Sequence, residues 1–138
     1  MNEPRRPDGA DDADPLVPDP LVPDPLVPDQ RVPEIEVEAL RERLAGGAGP
    51  AARVVDVRED WEWARGHIAG ATHIPLGQLP MRLSELDGAH DLYFICHLGA
   101  RSEMAARFAR QQGLRGAVNV RGGIDAWESR GYPVTTEP

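Results

Sequence analysis

From Asp14 to Pro33 the chain repeats a five-residue unit, Asp-Pro-Leu-Val-Pro, three times and then as a degenerate copy, Asp29-Gln-Arg-Val-Pro33. Proline at two of every five positions removes amide donors and forbids the α conformation to the residue before it. Neither a helix nor a central strand persists in such a stretch, so extended polyproline II is the expected local state. At about 3.1 Å per residue the twenty residues reach roughly 60 Å. Charge is divided in the same place. Residues 1–30 carry eight carboxylates and two arginines, a net −6, whereas residues 31–138 carry only −2 of the total −8. All fifteen basic residues are arginine. The chain therefore divides into an acidic, proline-rich, disordered extension over 1–30 and a near-neutral domain over 31–138, long enough to bury one core. The extension reads either as a solvated spacer or as a docking segment for a protein partner. Each repeat holds a P-x-x-P core, but Asp stands where ligands of that type carry a basic residue. Five residues per unit are too few for a solenoid.

Several classes fall away on composition. A sequence pI near 4.9 with no basic cluster argues against nucleic-acid binding, which needs cations to displace phosphate counterions. No apolar run approaches the roughly 18–20 residues of a membrane span. Arg5 and Arg6 are followed by no apolar h-region, which argues against a secretory signal. One cysteine forms no internal disulfide and no thiolate zinc cluster, so the expected compartment is the reducing cytoplasm.

Beyond residue 31 strand and helix signals alternate. A strand residue or two at Ile35 leads into a helix to Ala45, with Val37, Leu40 and Leu44 at helical spacing, ended by the Gly46–Pro50 cluster. Val54–Val57 reads as a strand, Glu59–Arg65 as a short helix stopped by Gly66, His73–Leu76 as an extended piece and Met81–Leu86 as one or two helical turns. Leu92–Ile95, with no polar alternation, predicts a central strand buried on both faces. Ser102–Gln112 predicts a helix with Met104, Ala105, Phe108 and Ala109 as its apolar stripe and Gly113 as its stop. Ala117–Val120 is a strand, and Gly122-Gly123 turns into a short helix over Ile124–Ser129. This alternation implies an α/β fold, a parallel sheet with helices on both faces, and in such folds the site lies at the carboxyl ends of the strands.

That rule selects the loop in which Cys96 closes the apolar strand, His97-Leu98-Gly99-Ala100 turn, and Arg101-Ser102 open the helix. A helix N-terminus presents unpaired N–H groups and partial positive charge, and successive loop amides converge on anions. Cysteines so placed, or beside arginine, are more acidic than a free thiol, whose pKa is about 8.5. Gly99 permits positive φ and close approach by an anion. A lone cysteine after an apolar strand also serves as plain packing; the strand–Cys–Gly–Arg–Ser–helix order favours the reactive reading.

Asp56-Val57-Arg58-Glu59, Gly66-His67-Ile68-Ala69-Gly70-Ala71-Thr72-His73-Ile74-Pro75, Cys96-His97-Leu98-Gly99-Ala100-Arg101-Ser102 and Gly122-Gly123-Ile124-Asp125-Ala126-Trp127 resemble, in order, the signatures of single-domain rhodaneses, and Gly131-Tyr132-Pro133-Val134 fits the same pattern. The resemblance covers about residues 31–135 and implies a rhodanese-like fold and a sulfurtransferase. It implies that Cys96 attacks the outer sulfur of a donor such as thiosulfate, becomes a persulfide and passes the sulfur to cyanide or a thiol. His97, Leu98, Gly99, Ala100, Arg101 and Ser102 are then the substrate loop, with Arg101 as the charge contact. No metal or organic cofactor is implied. With no second cysteine to resolve the persulfide, the acceptor comes from outside the chain. A rhodanese-fold sulfur carrier or binding module with little turnover is the alternative. Six residues from Cys96 to Arg101 give C-x4-R, one residue shorter than the C-x5-R loop by which related phosphatases and arsenate reductases wrap an oxyanion.

The sequence departs from the family at His97-Leu98, where a cation often follows the cysteine. His97 reads equally as a switchable charge and as a polar loop residue; Leu98 is apolar where a donor contact is wanted. Asp56 and Arg58, at the end of their strand, either flank the site or brace neighbouring loops. His67 and His73 read as turn hydrogen-bonding residues rather than metal ligands, since no acidic partner lies at ligand spacing. His90 reads as a surface turn residue and Trp127 as core. Of Trp61 and Trp63, one is expected to pack and the other to be exposed.

Overall fold

Glycines, prolines and charges cut the computed structural model, which describes residues 31–46 and 52–138, into short parallel strands separated by helices. The strands are β1 (Glu34–Ile35), β2 (Ala52–Asp56), β3 (Thr72–His73), β4 (Asp91–Ile95) and β5 (Ala117–Val120). The helices are α1 (Val37–Ala45), α2 (Asp60–Arg65), α3 (Leu79–Arg82), α4 (Ala100–Gln111) and α5 (Gly123–Ser129), with 3₁₀ turns at Leu76–Gln78 and Leu83–Leu86. The expected disordered extension over 1–30, with its repeats, lies outside the described residues, as does most of the Gly46–Pro50 cluster.

All pairings within the sheet are parallel, in the order β1-β5-β4-β2-β3. β4 is central, and Leu92, Tyr93, Phe94 and Ile95 are all buried, as a run with no polar alternation requires. Its side chains alternate between two cores. Leu92, Phe94 and Cys96 pack with Val55, Val57 and the α4 residues Ala105, Ala106, Phe108 and Ala109, and with Leu79 of α3. Tyr93 and Ile95 pack with Val54, Val120, Val37 and Leu40 of α1, and Ile124 and Trp127 of α5. Helices thus cover both faces of the sheet.

Two expected elements shift. The helical turn expected at Met81–Leu86 begins earlier, at Leu79, because Pro80 occupies a first-turn position where a missing amide costs nothing; Met81 is 87% exposed. α4 starts two residues early, at Ala100, since Gly99 takes a left-handed conformation (φ 118°) that turns the chain straight into the helix. Met104 lies only half-buried; Ala106 takes its place in the stripe.

The order of strands places the site. After β2 the chain moves outward to β3, and after β4 it moves the opposite way, to β5. The connections that follow two hydrogen-bonded neighbours therefore diverge, opening a crevice beyond their carboxyl ends. Loops 57–59 and 96–99 border that crevice, and Val57 N–H still donates to Ile95 O at 3.0 Å beyond the end of β2.

Candidate active site

Cys96, 1% exposed, follows the last residue of β4 and points into the core with Phe94 and Leu92. The loop folds back over the sulfur: Gly99 N–H donates to Cys96 Sγ at 3.1 Å. The first helical bond of α4 is Glu103 N–H to Gly99 O, so the amides of Ala100, Arg101 and Ser102 precede the ladder and carry the helix's partial positive charge toward the loop. Ser102 is fully buried. Its Oγ lies 3.2 Å from Cys96 Sγ and 2.6 Å from Asn119 Oδ1. A hydroxyl has one proton: with the thiol protonated, Ser102 donates to Asn119, and with a thiolate it is placed to turn that proton onto sulfur. Asn119, 2% exposed on β5, in turn donates through Nδ2 to Glu34 Oε2 at 3.1 Å.

A second helix sets the loop from behind. Ile124 N–H donates to Cys96 O at 2.8 Å and Asp125 N–H to His97 O at 3.0 Å, so the orphan amides of α5 hold the first two loop carbonyls. The approach needs the Gly122-Gly123 turn. Gly123 has φ 62°, and a Cβ there would lie 2.4 Å from both Cys96 O and His97 O. With those carbonyls turned toward α5, the loop is free to present amides on its other side.

Arg101 does not stand free. Its two terminal nitrogens donate to the two carboxylate oxygens of Glu62 at 2.7 and 2.9 Å, across from α2. Glu62 Oε1 also accepts from Glu59 N–H at 2.9 Å, the helix-start contact that fixes the carboxylate. The Arg101 hydrogen bonds, helped by the Glu59 amide and the charges of Arg101 and Arg58, outweigh burial and hold the Glu62 carboxyl down at about 2. Arg101 is correspondingly raised, chiefly by the same hydrogen bonds, and the Cys96 side chain adds to the effect.

Asp56 and Arg58 form the second pair. Arg58 forks onto both oxygens of the fully buried Asp56, with Nη2 to Oδ2 at 2.9 Å, and Nη2 also donates to Gly66 O at 2.7 Å. The pair thus ties the end of β2 to the turn after α2. Arg58 also lines, with Trp61, Glu62, Arg65, His97 and Glu128, a cleft of about 180 Å3 beside the loop. Trp61, in this cleft, and Leu98, in the loop, are each 61% exposed. Trp63 is sandwiched instead: its indole stacks on His67 (3.4 Å) and His73 (4.7 Å). Both imidazoles are spent on backbone, His67 Nδ1 on Trp63 O and His73 Nε2 on Arg58 O, each at 2.8 Å. Trp127 is core.

The structure therefore gathers His97, Leu98, Gly99, Ala100, Arg101 and Ser102 around Cys96, with Arg58 across the cleft and Asp56 beneath it. Three residues that sequence reasoning passed over join them: Glu62, Asn119 and Glu34. Only Glu62 left a local trace, as the acidic residue three places after Glu59 at a helix start; its partner lies 39 positions away.

Residues 36–130 match the Rhodanese-like domain family. A sulfurtransferase of Allochromatium vinosum is 39% identical over 100 residues, 72% of this chain and 92% of that one. YrkF of Bacillus subtilis, a candidate sulfur carrier protein, is 39% identical over 96 residues, 70% of this chain but only about half (51%) of its own length. Among solved structures, a rhodanese-related protein of Thermoplasma volcanium superposes with a TM-score of 0.67 at 35% identity, covering 76% of this chain and 99% of that one. Strand order, the loop after the central strand and these likenesses agree: the chain belongs to the rhodanese-like sulfurtransferase family.

Proposed function

We propose that the chain moves sulfane sulfur through a persulfide on Cys96, taking it from a small donor such as thiosulfate and giving it to cyanide or a thiol in the reducing cytoplasm. One observation carries the reading. The only thiol of the chain lies under two converging donors, Gly99 N–H at 3.1 Å and Ser102 Oγ at 3.2 Å, at the start of a twelve-residue helix. Those donors stabilise a sulfur anion, and the thiolate is the nucleophile. The Cys96 thiolate attacks the outer sulfur of thiosulfate, a new S–S bond forms, the old one breaks, and sulfite leaves with its electron pair. The amides from His97 to Ser102 hold the charge that develops on the departing group and then the persulfide anion. In the second half, cyanide or a thiolate attacks the outer sulfur, and the electron pair of the S–S bond returns to Cys96. Electrons balance without oxidant or cofactor.

The alternative, a sulfur carrier with little turnover, is favoured by the likeness to YrkF and separates cleanly in the same experiment. The protein is incubated with thiosulfate, its intact mass is measured, and thiocyanate is then followed after cyanide addition. Wild type is expected to gain one sulfur atom and release thiocyanate repeatedly, while Cys96→Ser gains nothing. Equal addition to both, or none to wild type with any of thiosulfate, mercaptopyruvate and a small persulfide, overturns the reading. Stoichiometric loading without turnover selects the carrier.

A further inference from the structure

Two arginine–carboxylate pairs border the Cys96 loop. Arg58 is forked onto Asp56, and Arg101 onto Glu62. The Glu62 carboxylate is held by three donors and its side chain is only 11% exposed, while Arg101 is 34% exposed. A dianionic donor meets the loop's backbone amides, while Arg58 and Arg101 each have a carboxylate seated on their fork. To take the Arg101 fork it must displace Glu62 and leave that carboxylate without its cation, which is unfavourable for a largely buried charge. The reaction puts a thiolate and the donor together in the same loop. With thiosulfate this gathers three negative charges, and with an organic persulfide anion only two. Beside the loop, the cleft of about 180 Å3 offers Arg65, Glu128 and the indole of Trp61, groups that suit an organic substituent bearing charges of both signs. Thiosulfate has no substituent to place there.

We propose that Glu62 is a donor-selecting residue: by holding Arg101 in a bidentate pair at the lip of the loop, it turns the site toward singly charged organic persulfides and away from dianionic thiosulfate. This rests on the sulfur-transfer reading above and narrows its donor. The step is balanced. The Cys96 thiolate attacks the outer sulfur of R–S–S⁻, the bond between the two donor sulfurs breaks, and RS⁻ leaves with the bonding pair. Glu62 is a positioning residue here, acting through Arg101 and through its own charge.

The test measures initial rates of sulfur loading on the full chain, by intact mass, with thiosulfate and with cysteine persulfide as separate donors. Wild type is compared with E62Q, which keeps an oxygen for the Glu59 amide, and with Glu62→Ser. Removal of the carboxylate is expected to raise the thiosulfate-to-persulfide rate ratio about tenfold, equivalent to 1.4 kcal/mol. The gain should fall on KM for thiosulfate rather than on kcat. An unchanged ratio in whichever neutral variant folds overturns the proposal. So does an equal loss with both donors, which marks Glu62 as merely structural. Wild type that accepts sulfur from neither donor fails the sulfur-transfer reading itself, a different result from an unchanged ratio.

Discussion

The two sides of the Cys96 loop are built on opposite principles. The inner side, against the sheet, is buried and formally neutral: Gly99 N–H, Ser102 and Asn119 surround the sulfur, and Ser102 and Asn119 are 0% and 2% exposed. The outer lip is charged and half-open: Arg101 is paired to Glu62, His97 is exposed, and Leu98 is 61% exposed. Donors fixed in a dry site stabilise an anion strongly because nothing must reorganise when it forms. Charges at a wet lip act weakly on any one ion but discriminate between ions of different charge. On the proposed function, the inner side decides whether sulfur is carried at all, and the lip decides from which molecule it comes.

The largest effect should come from breaking the inner side at its support. A Cβ on Gly123 would lie 2.4 Å from both Cys96 O and His97 O, with φ at +62°. Gly123→Ala must push α5 off the loop as well as strain the backbone, at a cost of about 3 kcal/mol. Thermal unfolding should shift down by roughly 10 °C or more, and sulfur loading should fall with it. Gly131 provides the control: φ is +76°, but nothing lies within 4 Å of its Cβ position. Gly131→Ala should carry only the backbone strain, about 1 kcal/mol. Equal shifts in the two variants would mean that contact with the loop carbonyls contributes nothing.

The same division explains what the sequence discloses. The loop itself is local. An unbroken apolar run, a cysteine, a glycine and an apolar stripe at helical spacing sit within twenty consecutive residues, so strand, turn and helix are readable in order. Gly122-Gly123 is readable as a turn, but the bonds that Ile124 and Asp125 just after it make to Cys96 and His97 span 28 residues and follow only from the strand order. Asn119 reaches Glu34 across 85 positions, because β1 and β5 are neighbours at the sheet's edge. Glu62 looks like an ordinary first-turn carboxylate until the crevice between β2 and β4 brings α2 to Arg101. Local periodicity carries the elements; parallel pairing, which is non-local, carries the polar partners.

A middle-sized effect tests the inner side without moving the backbone. Ser102→Ala removes the hydroxyl shared by Cys96 Sγ and Asn119 Oδ1. The orphaned Asn119 oxygen should lower stability by about 1–2 kcal/mol. Loss of one hydrogen bond to the sulfur anion should slow loading by about tenfold with every donor alike, since the lip is untouched. A donor-dependent effect in denaturant-matched rate measurements would blur the distinction between the two sides.

The smallest effect belongs to the lip and is read from acid stability. Glu62 lies at about 2 in the folded chain against an ordinary 4.5, principally through its hydrogen bonds from Arg101. A carboxyl whose folded value is depressed contributes its stabilisation above its unfolded value and loses it as pH falls toward the folded one. The stability difference between wild type and E62Q should therefore be constant from neutral pH down to about 5, shrink between 4.5 and 2, and vanish below. Its plateau should be modest, about 1 kcal/mol, because Arg101 is 34% exposed and screening weakens the pair. Urea unfolding at a series of pH values measures it. A difference that persists unchanged at pH 2 would assign the contribution of Glu62 to packing of α2 rather than to the ion pair. Glu62 would still be charged at neutral pH, but the lip would lack the tight Arg101–Glu62 pair by which it sorts donors.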